Sequence, residues 1–179
     1  MISKFAFVCM RLFSRFINAV RLAGLSNHQQ NVRKSRRVLR AVRRFREPGL
    51  AGSCLSYLRQ VDPLVFEEVV MSALEDAGLL VLRNRNYSGD GGVDGVAWNP
   101  RFGWMAVQVK RYRAHICRGH VRDFHDAILS AKFDGGVFVH TGRSGAGSYE
   151  FLRGSGIILL SGDRLISLVL RRELVHWRM

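Results

Sequence analysis

Residues 89–110 read GDGGVDGVAWNPRFGWMAVQVK, and this stretch decides the fold that the sequence predicts. Asp94 follows a glycine-rich turn, and thirteen residues separate it from Gln108. Residues 104–110 are predicted as a strand whose side chains alternate between two faces, with Met105, Val107 and Val109 on one face and Trp104, Ala106, Gln108 and Lys110 on the other. Gln108 and Lys110 differ by two positions, so their side chains lie on the same face of that strand. The stretch therefore predicts a β-hairpin that carries a carboxylate, an amide and a lysine.

The segments around this hairpin alternate between helical and extended patterns. Asp62-Pro63 is a good helix start, because Asp caps helices and Pro is tolerated at the first helical position. Gly78 is a natural helix end. The other predicted elements are strands at 79–82, 93–98, 136–140 and 157–160, and helices at 118–132, 144–154 and 162–172. Helix, three strands, helix, strand, helix, strand, helix is an order that predicts an α/β fold with a mixed central sheet and helices on both faces.

The N-terminal arm carries most of the charge. Residues 1–46 contain twelve Lys and Arg and no Asp or Glu, so they hold +12 of the net +14. Residues 2–25 and 31–46 are both predicted as helices, the first with an apolar stripe on one side and Lys4, Arg11 and Arg15 on the other. We expect residues 1–61 to form a basic, helical arm and linker, residues 62–172 the main domain, and residues 173–179 a C-terminal tail.

A polycationic arm binds nucleic acid phosphates or anionic lipid, or is simply solvated. An amphipathic helix most often packs on the body of its own protein, so we expect no membrane contact by the arm. No apolar run reaches the ~18–20 residues of a membrane span. The three cysteines are far apart and form no C-x-x-C pair, which favours a reducing, cytoplasmic location over a disulfide scaffold.

The hairpin residues suit metal-assisted hydrolysis of a phosphodiester, which needs a hard cation with oxygen ligands. Asp94 is the first-choice ligand, Asp90 is a further carboxylate, and the backbone carbonyl of Val109 is another possible donor. Gln108 could offer its amide oxygen to the metal or to the water, and Lys110 could hold the water and a phosphate oxygen. Taken alone, Asp94 is equally a turn residue and Lys110 a solvated strand end.

Four segments occur in an order that resembles the Mrr-type restriction endonuclease domain, a branch of the PD-(D/E)xK nucleases. They are Phe66-Glu67, Asp94, Gln108-Val109-Lys110 and the stretch Phe138-Val139-His140-Thr141-Gly142. The resemblance covers roughly residues 62–172. The wider group usually has Asp or Glu where this chain has Gln108, but Gln-x-Lys is the usual form of the Mrr-type branch.

The resemblance implies a restriction-endonuclease-like core and a DNA endonuclease that uses Mg²⁺, with Mn²⁺ as the alternative ion, to restrict foreign or modified DNA. It also implies that Glu67 points towards the active site and makes up for the neutral Gln108, although Glu67 alone would pass as an exposed helix residue. The expected catalytic set is therefore Asp94, Gln108, Lys110 and Glu67, with the metal held by Asp94, Glu67 and Val109.

Basic residues continue beyond the strand and could grip DNA phosphates without regard to sequence. The expected DNA-binding residues are Arg111, Arg113, Arg118 and Arg122, which could instead be a solvated basic face. Double-strand cleavage would suggest a homodimer, because one site cuts one strand. Two other functions stay open: a DNA-binding module that does not cut, and a nuclease-like protein anchored at a membrane surface by its arm. His140 at a strand end is expected to be structural.

Overall fold

The computed structural model describes residues 4–44, 51–85, 87, 92–112, 114–145 and 152–174. Six α-helices lie in these ranges: α1 Lys4–Arg21, α2 Ser26–Val42, α3 Ala51–Leu58, α4 Pro63–Asp76, α5 Arg118–Ser130 and α6 Gly162–Ile166. A π-helical segment, Ser167–Arg171, continues α6. The five strands are β1 Leu80–Arg83, β2 Gly95–Asn99, β3 Gly103–Lys110, β4 Gly135–His140 and β5 Ile157–Leu160.

The strands form one mixed sheet in the order β1-β2-β3-β4-β5. The first three are antiparallel neighbours, and β4 and β5 are added in parallel. Gly95 of β2 pairs with Val107 of β3, while Lys110 at the end of β3 pairs with His140. The predicted mixed α/β architecture is therefore confirmed.

Two apolar cores cover the two faces of the sheet. Met105, Val107 and Val109 of β3 belong to the larger core, which also contains α2, α4 and the C-terminal helical turns. Ala106 belongs to the smaller core, where Phe124 of α5 packs on the sheet. The alternation predicted for β3 is confirmed, and it places Gln108 and Lys110 on the α5 face.

Helix α4 begins and ends where the sequence predicts. The side chain of Asp62 accepts hydrogen bonds from the backbone N–H groups of Leu64 and Val65 at 3.0 and 3.2 Å. Such a cap contributes about 1 kcal/mol to helix stability. Gly78 ends the helix with a φ of +90°, a conformation that favours glycine. The helix is thereby fixed with its N-terminal turn beside the ends of β1 and β3.

Helix α1 covers the edge of the sheet with polar side chains. The hydroxyl of Ser14 donates to the carbonyl of Val81 and accepts from its N–H, both at 3.0 Å. Asn18 donates to the same carbonyl and accepts from the N–H of Arg83 at 2.9 Å. These bonds satisfy the free edge of β1, which would otherwise be open to pairing with another chain.

The N-terminal helices form close to their predicted positions, at Lys4–Arg21 and Ser26–Val42. Helix α2 packs on α4 and buries Leu39 and Val42 in the larger core. The last part of the predicted arm and linker, before residue 62, contains α3. The helix predicted at 144–154 lies largely outside the described residues, as does most of the turn at 84–92. None of the helices in the described ranges has both the length and the hydropathy of a membrane-spanning segment.

Candidate active site

Asp94 lies directly before β2, at the end of the sheet where β3 finishes. Its backbone N–H donates to the carbonyl of Val107 at 2.8 Å, which extends the β2–β3 ladder by one residue. Its carboxylate oxygen Oδ2 accepts the N–H of Val109 at 2.6 Å. The half-buried carboxylate is therefore held against the strand that carries Gln108 and Lys110.

Gln108 points from β3 towards the glycine-rich turn. Only 4% of the residue is exposed, and within the described part of the chain its Oε1 is a buried atom without a hydrogen-bond partner. A Cβ atom on Gly92 would lie 2.6 Å from Nε2 of Gln108, and Gly92 has a φ of +82°. The close approach and the positive φ both require glycine at position 92.

Lys110 is half-buried at the carboxyl end of β3. It follows Gln108 by two residues and therefore shares the α5 face of the sheet with it. Gly95 faces α4, because a Cβ atom there would meet Met71 of that helix at 2.9 Å. Gly95 pairs with Val107 of β3, so Asp94, one residue earlier, lies across from Gln108. The structure thus brings Asp94, Gln108 and Lys110 to one end of the sheet.

Glu67 approaches the same end from the other face. It is half-buried in α4, one helical turn before Met71, the residue that packs against Gly95. The neighbouring Glu68 has a different environment: it is 3% exposed, accepts from Arg83 at 2.7 Å and contacts His28 at 3.3 Å. Of the two adjacent glutamates, Glu68 is therefore committed to the core, and Glu67 is the half-buried one.

The basic residues after β3 divide into two groups. Arg111 donates to the backbone carbonyls of Arg59 and Val61, both at 3.0 Å, and so ties the end of β3 to the segment between α3 and α4. Arg118 and Arg122 are exposed on α5. Two predicted site residues, Asp90 and Arg113, lie outside the described residues.

His140 is fully buried beside the site and acts as a structural link. The N–H of Gly142 donates to its Nδ1 at 3.1 Å, and its Nε2 lies 3.0 Å from the hydroxyl oxygen of Ser144. Burial lowers the pKa of His140 to about 4, so the ring is neutral at physiological pH. This arrangement fits the structural role that the sequence suggests.

The donors at this end of the sheet suit a hard divalent cation. A buried amide oxygen is costly unless a water, an ion or a ligand satisfies it, and Gln108 Oε1 is such an atom beside a carboxylate. The described residues contain no group of three or more His, Cys, Asp and Glu that could hold a metal. A site made only of oxygen donors does not need three ionisable residues. Asp94 can be joined there by an amide oxygen and a backbone carbonyl.

Gly92 is the site residue that sequence reasoning did not single out. The sequence does show a Gly91-Gly92 pair before Asp94, but a pair of glycines by itself indicates only a turn. The contact with Gln108 depends on how the turn folds over β3, and the alternation of a strand does not predict that contact. Only the folded structure therefore identifies Gly92 as a neighbour of the site.

Comparison with known proteins agrees with this geometry. Residues 58–169 match the family model of the Mrr catalytic domain, described as a restriction endonuclease. The match spans well over half of the chain, contains all five strands, and includes Glu67, Asp94 and Lys110. No curated protein and no solved structure matches the chain. The chain belongs to the Mrr-type restriction endonuclease family, whose nuclease domain it carries on a mixed five-stranded α/β sheet.

Proposed function

We propose that this protein is a Mg²⁺-dependent DNA endonuclease, able to use Mn²⁺ as well, that hydrolyses phosphodiester bonds and restricts foreign or modified DNA. The observation that carries the proposal is the convergence of Asp94, Gln108 and Lys110 at one end of the sheet, inside the range matched by the family. The orphaned amide oxygen of Gln108 supports a cation at this point.

The proposed roles follow from the chemistry of each group. Asp94, Gln108 Oε1, the carbonyl of Val109 and Glu67 would hold the cation, which supplies positive charge to the phosphate and polarises the attacking water. The hydrogen bond from the Val109 N–H keeps the carboxylate of Asp94 in a fixed orientation. The ammonium group of Lys110 donates to a phosphate oxygen and to the water, which orients the water for attack.

DNA would be held by basic side chains on two parts of the molecule. Arg118 and Arg122 are exposed on α5, and Arg111 lies at the end of β3; Arg113 is proposed from the sequence alone. Helix α2 and the turn after it add a second row of exposed basic residues at helical spacing: Arg33, Arg37, Arg40 and Arg44. Contacts of this kind neutralise phosphates and do not read sequence.

Two further features belong to the proposal. Cutting both strands of a duplex would take two copies of the site, so we propose that a homodimer makes double-strand breaks. Cys9, Cys54 and Cys117 are free thiols in the described structure, which suits a reducing cytoplasm.

Plasmid cleavage tests the proposal. The native chain, Lys110→Ala and Asp94→Asn are incubated with supercoiled plasmid in Mg²⁺, Mn²⁺ or EDTA. We expect cleavage by the native chain only with metal, and a loss of about 100-fold or more in both variants. Asp123→Asn, an exposed aspartate on α5, is the matched control and should cut normally. A native chain that retards DNA on a gel but cuts neither methylated nor unmethylated plasmid would instead be a DNA-binding module.

A further inference from the structure

Helix α1 packs on the protein with its polar side and turns its apolar side outward. The residues that meet the sheet edge are Ser14 and Asn18, both buried. Leu12, Phe16 and Val20 are 56%, 68% and 61% exposed. An amphipathic helix on a globular domain normally buries such residues, so the orientation is the reverse of the usual one.

The exposed apolar residues form one continuous surface, here called the outer face of α1. Its members are Val8, Cys9, Leu12, Phe13, Phe16, Ala19 and Val20, all exposed and none charged. At a helical period of about 100° per residue they span a sector of roughly 140°. Among the described residues, five of the eight large exposed hydrophobic side chains lie on this helix. A patch of this kind marks an interaction site, whereas isolated exposed apolar residues do not.

The surroundings of the outer face are basic. Residues 4–44, which contain α1 and α2, include no Asp or Glu. Arg15 is exposed beside the face, since it follows Leu12 by three residues and precedes Ala19 by four, and it is also paired with Asp76 at 2.9 Å. The partner must therefore offer apolar surface and negative charge together.

Three kinds of partner differ in whether they offer both apolar surface and negative charge. A second copy of the chain would bring two basic helices together without an acid on either, which is repulsive at close range. DNA offers negative charge, but the outer face has no side-chain donor for phosphate apart from the weak thiol of Cys9. An anionic lipid surface offers both, with acyl chains below a layer of phosphate groups.

We propose that α1 docks this protein on an anionic lipid surface, which departs from the expectation drawn from the sequence that the arm makes no membrane contact. Phe13 and Phe16 enter the boundary between headgroups and acyl chains, and Arg15, whose side chain is 41% exposed beside its contact with Asp76, contacts lipid phosphates at the border of the face. The helix lies in the plane of the surface and stays attached to the domain through Ser14 and Asn18. This proposal concerns a different surface from the nuclease site and does not depend on cleavage.

A fluorescent label on Cys9 gives a local readout. Cys9 and Cys117 are exposed and Cys54 is buried, so Cys117→Ser leaves Cys9 as the accessible described thiol. The full chain, labelled with a polarity-sensitive dye, is mixed with vesicles of phosphatidylcholine alone or of phosphatidylcholine with phosphatidylglycerol. We expect a blue shift and brighter emission only with phosphatidylglycerol. The same dye on Cys117 in Cys9→Ser is the control and should not change.

Substitutions on the outer face separate lipid docking from general attraction of a basic protein. Leu12→Gln and Phe16→Gln should each lower sedimentation with phosphatidylglycerol vesicles by about tenfold, because each removes an apolar side chain that is exposed in the free protein and buried in the lipid when α1 docks. Leu129→Gln, a leucine 62% exposed on α5, is the matched control and should sediment like the native chain. Circular dichroism checks that each variant keeps its helices.

Three results would overturn the proposal. The native chain could stay in solution with both kinds of vesicle. It could sediment while the dye on Cys9 stays unchanged, which would mean that basic residues elsewhere attach it. Light scattering could show a dimer that Phe16→Gln disperses, in which case a second copy covers the outer face.

Discussion

At the scale of single residues, Gly92 links the glycine-rich turn to the chemistry of the site. In Gly92→Ala the new Cβ would meet Nε2 of Gln108 at 2.6 Å and would also require a φ of +82°. Gly24 has a similar φ of +80° but no atom within 4 Å of its Cβ position, so Gly24→Ala reproduces the strain without the collision. We expect both variants to lose about 1 kcal/mol of stability, and only Gly92→Ala to lose cleavage, by about tenfold or more. Urea unfolding and plasmid assays measure the two effects, and equal cleavage by the two variants would contradict the contact.

The buried His140 should make the free energy of unfolding depend on pH under acid conditions. Burial lowers its pKa from 6.5 to about 4 in the folded chain. Between these values the unfolded chain binds a proton that the folded chain does not, so the free energy of unfolding falls as pH decreases, by about 1.4 kcal/mol per pH unit. This loss should be smaller in His140→Asn than in the native chain when urea unfolding is compared at pH 6.5 and 5. An NMR titration of the imidazole near 6.5 would refute the prediction.

At the scale of elements, buried charges join α1 and α2 to α4. Arg83 is 2% exposed and bonded to both Glu68 and Glu75. Burial alone would lower the pKa of Arg83, but Glu75 and Glu68 outweigh it and raise the pKa, so the arginine stays charged. Burial likewise favours neutral Asp76, yet Arg36 and Arg43 lower its pKa. The arginines that the sequence assigns to a free basic arm are thus partly used to hold the helices together.

The two kinds of arginine in this region should respond differently to substitution. Arg83→Met removes the arginine that Glu68 and Glu75 share in the core and leaves them only His28 and Arg36 as partners, so we expect a loss of about 3–5 kcal/mol in the free energy of unfolding. Arg15→Met removes a cation whose side chain is 41% exposed and bonded to Asp76 at 2.9 Å, so it should cost less than about 1 kcal/mol. Denaturant unfolding of the two variants measures the difference. Similar losses would mean that the network is not buried in solution.

Local patterns predicted the elements that local physics determines. The cap at Asp62 and the alternation around Val107 depend on neighbours a few residues away, and both are as predicted. The orientation of α1 was not predictable in this way. Its apolar stripe suggests a buried side, but the edge of β1 needs hydrogen bonds, and Ser14 and Asn18 provide them from the polar side. The orientation of α1 depends on a contact between residues 67 positions apart, and the periodicity of the helix alone does not predict that contact.

At the scale of the whole molecule, the exposed charge should control DNA binding. Replacing Arg33, Arg37 and Arg40 by alanine removes three exposed cations from α2. If each contacts one phosphate, the slope of log affinity against log salt should become less steep by about 0.9 per contact. Arg101→Ala is a suitable control, because Arg101 lies at the hairpin tip before β3, at the far end of that strand from Lys110. Titrations with EDTA present avoid cleavage, and an unchanged slope in the triple variant would exclude α2 from the DNA-binding surface.

Deletion of residues 1–44 tests whether the N-terminal helices are an appendage or part of the folded unit. The family match starts at residue 58, and the sequence predicts a main domain at 62–172, so a chain lacking both helices could be expected to fold. The packing argues otherwise, because the deletion removes Leu39 and Val42 from the larger core and exposes the edge of β1. It also takes Arg36 and Arg43 away from Asp76, which stays on α4. We therefore expect the truncated chain to aggregate or to unfold without a cooperative transition in circular dichroism. A truncated chain that melts cooperatively and still cleaves plasmid would show instead that residues 45–179 fold alone, and that the two helices serve only the surfaces on which they lie.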